Sequence, residues 1–385
     1  MKKIKFLILS IFVGLSVNLL SAENIFLNKI DISDLDYISS LNTGIIKYFP
    51  AKINTNGFFY GKIDCYHIYD SRLNINVKNY SFYISNKSVI NDTLIMDIFP
   101  EIAGINSSMA LFGYKKGSTS YSFGVGYEGK YISVSGNSIN YSKIKYLGGI
   151  SNKLQKGKYN IDIDIGLQID DIKGERKIEG YISKNSNRPD FGINAMSTIS
   201  FNDEIIDIIV SGISSKFDFE YSDSLLYYNG ESIKIDKINV ITGIAWSHNY
   251  SDYADLRMFL GYNYSDISKH TQNNIGDSSS ISSVTHYLPI IASSINFNFK
   301  KDYYLNVNGN VKYNIEKSIS NGNNILEKNV VFLYNTGIGY SSGDLNIIFS
   351  GEKFIENILY SIREGELHLP CELRMYYNID NLMGI

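Results

Sequence analysis

Between Tyr159 and Ile169 every odd position is apolar (Tyr159, Ile161, Ile163, Ile165, Leu167, Ile169), and every even position is polar or glycine (Asn160, Asp162, Asp164, Gly166, Gln168). Successive side chains of a β-strand point to opposite faces, so a period of two over this length predicts an extended segment with one face for lipid or a core and one for water. The pattern recurs. Residues 237–249 set Ile238, Val240, Thr242, Ile244, Trp246 and His248 against a small or polar face broken only by Ile241. Residues 253–264 set Ala254, Leu256, Met258, Leu260 and Tyr262 against Asp255, Arg257, Gly261 and Asn263, with Phe259 out of pattern. Residues 303–314 set Tyr303, Leu305, Val307, Gly309, Val311 and Tyr313 against Asn306, Asn308, Asn310, Lys312 and Asn314.

Length discriminates next. Strands of soluble domains have a mode of about 5–6 residues, whereas a tilted transmembrane strand needs about 9–11. These segments have the membrane length. Their connections alternate as well: 249–252, 300–302 and 341–344 are short, while 216–236, 265–282, 315–327 and 353–365 are longer and polar. Short turns on one rim and long loops on the other are the plan of an outer-membrane barrel. A propeller is excluded, because each repeat unit holds two long strands where a blade needs four short ones.

Hairpins fall near 105–134, 141–169, 189–215, 237–264, 283–314, 329–351 and 366–384. Segments 57–69 and 73–85 also look extended, but Tyr80, Phe82 and Ile84 break the face begun by Leu73, Ile75 and Val77. They raise the count or lie inside the barrel. The expectation is an all-β transmembrane antiparallel barrel over residues 57–385, with about 14 strands and a range of about 12–16. Near the end, Leu367, Leu369, Cys371, Leu373, Met375 and Tyr377 share one face before the turn Asn378–Asn381, so strand 366–378 is the last to span or the chain stops short of a further one.

The first residues have another character. Lys2, Lys3 and Lys5 precede an apolar run from Phe6 to Leu20, and Ser21-Ala22 offers a small residue at a cut: a secretory signal peptide over 1–22. Residues 23–56 lack the period of two and form an N-terminal extension or plug segment. No later stretch has the 18 or so consecutive apolar residues of a membrane helix.

Composition agrees with this plan. With 36 Lys+Arg against 39 Asp+Glu, a net charge of -3 and a pI near 6.0, there is no basic footprint for nucleic acid. Cys65 and Cys371 make no disulfide framework or Cys-rich zinc site. The 31 tyrosines, many near strand ends (Tyr250, Tyr262, Tyr264, Tyr303, Tyr313, Tyr340, Tyr376, Tyr377), suit aromatic girdles at the two membrane surfaces; their high β-propensity is the other explanation. A mean hydropathy of -0.11 fits a wall with lipid on only one face of each strand.

The plan resembles the long-chain fatty acid transporter family of outer-membrane proteins: signal peptide, segment before the first strand, about 14 strands, and a closing Leu369-Pro370-Cys371-Glu372-Leu373-Arg374-Met375-Tyr376-Tyr377 similar to that family's final hairpin. The resemblance implies a barrel plugged by its N-terminal segment and carrying hydrophobic molecules inward.

No catalytic constellation emerges. The histidines His67, His248, His270, His286 and His368 have no metal-ligand spacing; His248, closing an apolar face beside Tyr250, reads as a membrane-interface residue. Gly124-Val125-Gly126-Tyr127 reads as strand, and Ser279, Ser280 and Ser282 near His286 read as polar loop. No cofactor, metal or enzymatic activity is expected. The functional lead is charge on the polar faces: Asp162, Asp164, Asp255, Arg257, Lys312, Glu372 and Arg374 are the pore-lining candidates. The alternative is a closed interior of cross-strand ion pairs, with Asp255–Arg257 and Glu372–Arg374 neutralising each other at i,i+2. The expected function is passage of small hydrophobic or polar solutes across the outer membrane, with membrane lipid and the barrel-assembly machinery as partners. The alternatives are a scaffold presenting adhesive or antigenic loops and an exported soluble β-protein.

Overall fold

A computed structural model of the chain describes residues 46, 48–64, 69–89, 105–134, 137–178, 181–187, 189–222, 231–250, 254–273, 278–300, 302–320, 323–351, 363 and 372–380. The expected signal peptide, most of segment 23–56 and most of 353–365 lie outside them.

Among the described residues, seventeen strand segments form one antiparallel sheet. They are β1 (Phe58–Asp64), β2 (Tyr69–Val77), β3 (Tyr80–Val89), β4 (Ile105–Lys116), β5 (Thr119–Val134), β6 (Asn137–Lys156), β7 (Tyr159–Ile178), β8 (Tyr181–Asn187), β9 (Asp190–Phe201) and β10 (Glu204–Ser222). After them come β11 (Glu231–Asn249), β12 (Ala254–Asn273), β13 (Ser278–Lys300), β14 (Tyr303–Ser320), β15 (Asn323–Ser342), β16 (Leu345–Gly351) and β17 (Glu372–Asn378). β8 and β9 both pair with β7 on one side and β10 on the other. They are two halves of one strand, interrupted where Pro189 has no N–H for the ladder. β1 pairs with β2 and also with β17, so the sheet closes into a barrel of 16 strands.

The count exceeds the expected 14 for local reasons. Val77 lies opposite Tyr80, Ile75 opposite Phe82 and Leu73 opposite Ile84. A two-residue turn at Lys78-Asn79 reverses the chain, and opposed residues of a hairpin share a face although the numbering parity flips. The apparent break in alternation was a hairpin, and both its arms are wall. Of the last predicted hairpin, the described residues form one strand, β17; beyond it the Asp380 Oδ1 accepts from the Gly57 N–H at 2.8 Å and ties the chain to the start of β1.

Two-residue turns at 78–79, 117–118, 157–158, 202–203 and 343–344 mark one rim. The first residue of each has a positive φ. Glycine carries this without steric cost at three of them, and Asn202 tolerates it better than Lys78 does. Neighbouring hairpins are stitched there: the Lys115, Lys153 and Ser341 N–H groups donate to the Asn79, Ser118 and Asp302 carbonyls.

At the other rim the expected loops 216–236, 265–282 and 315–327 are largely strand, since β10 to β15 run on to Ser222, Glu231, Asn273, Ser278, Ser320 and Asn323. Backbone pairing does not need an apolar face. Above the membrane both faces meet water, so apolar/polar alternation fades while the ladder continues.

The wall is inverted relative to a soluble protein. Phe123 (64% exposed), Ile84 (60%) and Leu260 (59%) face outward, whereas Asp164 (0%), Asn194 (1%) and Asp170 (2%) are buried inside. Contiguous apolar surface of this extent needs a nonaqueous neighbour, which makes the outer face the lipid face. On β7 the outward apolar run is Tyr159 to Ile169, about 25 Å tall for a strand tilted by about 40°, the height of an outer-membrane apolar band. An outward Asp171–Lys173 ion pair at 3.5 Å lies just above it. Near the short-turn rim lies an aromatic belt: Tyr80 against Phe112 and Tyr114, Tyr159 against Phe201, Trp246–His248–Tyr250, and Tyr303 between Phe299 and Tyr340. His248 and the Trp246 indole N–H both engage Glu204.

Leu260→Arg places a charge within this band and is expected to cost about 2–4 kcal/mol. Urea unfolding in lipid vesicles measures it, and a change below about 0.5 kcal/mol, the size of an ordinary surface substitution, would overturn the face assignment.

Candidate functional site

The inner wall of β2 to β10 is shaped around residues 46–57. Pro50–Asn54 form a 3-10 turn, with Pro50 in its first turn, where the absent N–H costs nothing. Phe49 and Ile53 are fully buried. Ile46 and Ile53 pack on inward Phe58, Tyr60, Tyr83, Leu111 and Leu147, and Phe49 packs on Met196 and Ile209. These apolar residues sit at positions where the alternation calls for polar ones. They are exceptions because the surface they meet is protein, not water.

Small residues let the backbone come close. A Cβ on Gly166 would lie 1.8 Å from the Tyr48 carbonyl oxygen, one on Gly149 2.8 Å from the Ala51 nitrogen, and one on Gly113 2.6 Å from Asn54 Oδ1. Gly149 and Gly166 are register partners across β6 and β7, so their gaps merge into one flat bed. Amide side chains then hold the segment by its backbone. The Asn194 Nδ2 donates to the Tyr48 carbonyl at 3.2 Å, and the Asn74 Nδ2 to the Ile53 and Asn56 carbonyls at 2.8 and 2.7 Å. Asn54 answers from the segment, donating to the Tyr121 carbonyl at 3.2 Å and accepting from the Ser81 hydroxyl at 3.0 Å.

One ion pair completes the seat. The Lys52 ammonium is 2.8 Å from Asp164 and 3.7 Å from Asp162, both inward on β7. Lys153 also approaches Asp162, at 3.6 Å. Other inward charges pair within the wall: Lys143 with Asp170 at 2.8 Å, Arg257 with Asp207 at 2.9 Å, Lys145 with Glu128, and Arg72 with Asp70.

Of the residues singled out from sequence, Asp162 and Asp164 come together under Lys52. For Arg257 the structure shows an ion pair other than the Asp255 one that the i,i+2 spacing suggested. Its guanidinium reaches the neighbouring wall to Asp207, which also accepts from the Thr198 hydroxyl at 2.6 Å. Pairs two apart on one strand do form elsewhere in the wall, as Arg72 with Asp70 on β2, whereas Arg257 is held across strands by Asp207. Asp255 is half-buried on β12; Lys312 and Arg374 are buried on β14 and β17. Glu372 pairs through its backbone with Asp64 and Ser350, and its side chain lies outside the described residues.

Lys312 shares its face with an asparagine ladder: the Asn308 Nδ2 donates to Asn306 Oδ1, and the Asn306 Nδ2 to Asn296 Oδ1, each at 2.6 Å. Lys52, Asn74, Asn194 and the glycine bed escaped the sequence reading. The traces they left were polar-face exceptions such as Leu111, Met196 and Ile209, and a glycine pair inside a strand.

No protein-family model matches the sequence, and no curated protein matches it. Among solved structures, the chain is similar to the ferric yersiniabactin uptake receptor FyuA from Yersinia pestis (10% identity, TM-score 0.45, 77% of this chain and 53% of that one). It is also similar to CdiB from Escherichia coli (11%, 0.42, 83% and 62%) and to the copper transporter OprC (8%, 0.42, 77% and 62%). The chain therefore spans between half and two thirds of the length of these three structures.

Proposed function

We propose that this chain is an outer-membrane barrel that passes small solutes and rests with residues 46–57 seated in its lumen as a plug. The short-turn rim is then the periplasmic one. The observation that carries the reading is the bed itself: inward glycines that admit the backbone of Tyr48 to Asn54, amides that hold it, and a buried ion pair at its centre. Burial of Phe49 and Ile53 contributes roughly 1.5–3 kcal/mol each. Each 1.4 kcal/mol or so is tenfold in population, so the seated state dominates at rest while remaining displaceable. Asp162, Asp164, Asp255, Arg257, Lys312, Glu372 and Arg374 line the route once the segment moves.

Planar-bilayer recording tests this. The full chain should be nearly silent, with brief openings, whereas a chain with residues 46–55 replaced by a glycine-serine run of equal length should give steady steps. A replaced chain that is folded and inserted yet silent would sink the transport reading. A second reading, a scaffold holding recognition surfaces clear of the membrane, rests on strand height. The 20 residues of β12 rise about 50 Å at a tilt of about 40°, twice the apolar band. Loss of host-surface binding on trimming the β12–β13 hairpin, in a barrel that never conducts, would favour it.

A further inference from the structure

The geometry points to the Asp162/Asp164 pair as a binding site for a solute-borne primary ammonium group, occupied at rest by Lys52 as a tethered stand-in, so that an amine-bearing solute opens the barrel by exchange. The inference rests on the plug reading above and assigns that plug a chemical trigger.

Three observations carry it. Asp164 is fully buried, and among the described residues neither of its carboxylate oxygens accepts a hydrogen bond; the Lys52 ammonium at 2.8 Å is its ion partner. A buried carboxylate does not keep its charge without a compensating cation, because an uncompensated buried charge costs several kcal/mol. When Lys52 leaves, something must replace it: water, a proton or another cation. Second, the Lys52 side chain supplies the shape of the occupant, an ammonium on a flexible four-carbon stem with three donors. Third, the contacts that hold the segment beside this point are hydrogen bonds from Asn74 and Asn194 to carbonyls and the fit over Gly149 and Gly166. None of these is used by a free amine, so the solute competes for the ion pair alone and binds the unseated state in preference. A ligand shifts an equilibrium only by such differential affinity. The tethered ammonium competes at an effective concentration on the order of millimolar or more, and the solute must work in that range.

The test is single-channel recording of the full chain titrated through the millimolar range with 1,5-diaminopentane, with 1,5-pentanediol as the neutral analogue. The diamine should raise the open probability severalfold and the diol should leave it unchanged. Lys52→Gln and Asp164→Asn both break the pair, so both should open without amine and lose the response to it. They differ in wall charge: Lys52→Gln keeps Asp164 and should show the higher K+/Cl− permeability ratio. Retention of the heat-dependent shift in gel mobility typical of folded barrels verifies that each variant is assembled.

If the diamine acts no better than the diol while the glycine-serine chain opens, the ammonium site is wrong and the plug stands. Equal permeability ratios in the two variants would likewise overturn the site. If the glycine-serine chain stays closed, the plug reading itself has failed.

Discussion

Gly166→Val is expected to convert a resting barrel that conducts little into one that conducts steadily, without loss of folded protein. The reason is local and steric. A Cβ at this position would stand 1.8 Å from the Tyr48 carbonyl oxygen, far inside any real contact, so either β7 or the segment must move by more than an ångström. β7 is laddered to β6 from Tyr159 through Lys177 and to β9 from Asn160 through Asp170. Shifting it would break many backbone hydrogen bonds inside a lipid-covered wall, where no water replaces them. The segment is held by a few side-chain amides, one ion pair and the burial of Phe49 and Ile53, and it yields first. Gly148→Val is the control, because a Cβ there meets nothing within 4 Å. That neighbour gains the same β-branched side chain and should leave the resting conductance unchanged. Steady conductance from both variants, or from neither, would remove the steric argument.

The same contrast shows what the sequence made legible. Alternation on Tyr159 to Ile169 reports which side chains meet lipid, since a one-residue slip would turn every one of them inward. Architecture and wall faces were therefore readable. The strand count was readable only to within two, 16 against an expected 14 or so, because parity flips across the tight turn at Lys78-Asn79 and hid a hairpin there. Strand ends above the membrane were read as loops, since their polar faces carry no periodic signal although the ladder continues from Ser265 to Asn273. The bed under Tyr48 to Asn54 was least visible. Its contacts join residues about 20 to more than 140 positions apart, such as Ile53 with Asn74 and Tyr48 with Asn194. Glycine, which makes the bed possible, shows no preference for lumen over turn in sequence.

Arg257 gives the largest expected stability effect, and its partner decides between two accounts of the inner wall. Its guanidinium lies 2.9 Å from Asp207, with side chains 12% and 7% exposed. Removing the Arg257 guanidinium strips Asp207 of its ion partner inside the wall, which costs about 3–5 kcal/mol. Arg257→Met should lose that much in urea unfolding from lipid vesicles. Asp207→Asn should also destabilise, and the double variant should lose less than the sum, because the two residues interact directly. If instead Arg257 were neutralised by Asp255 along its own strand, Asp255→Asn would be the costly change and would couple to Arg257→Met. The sideways pair predicts the reverse, with Asp255→Asn nearly silent and additive with Arg257→Met.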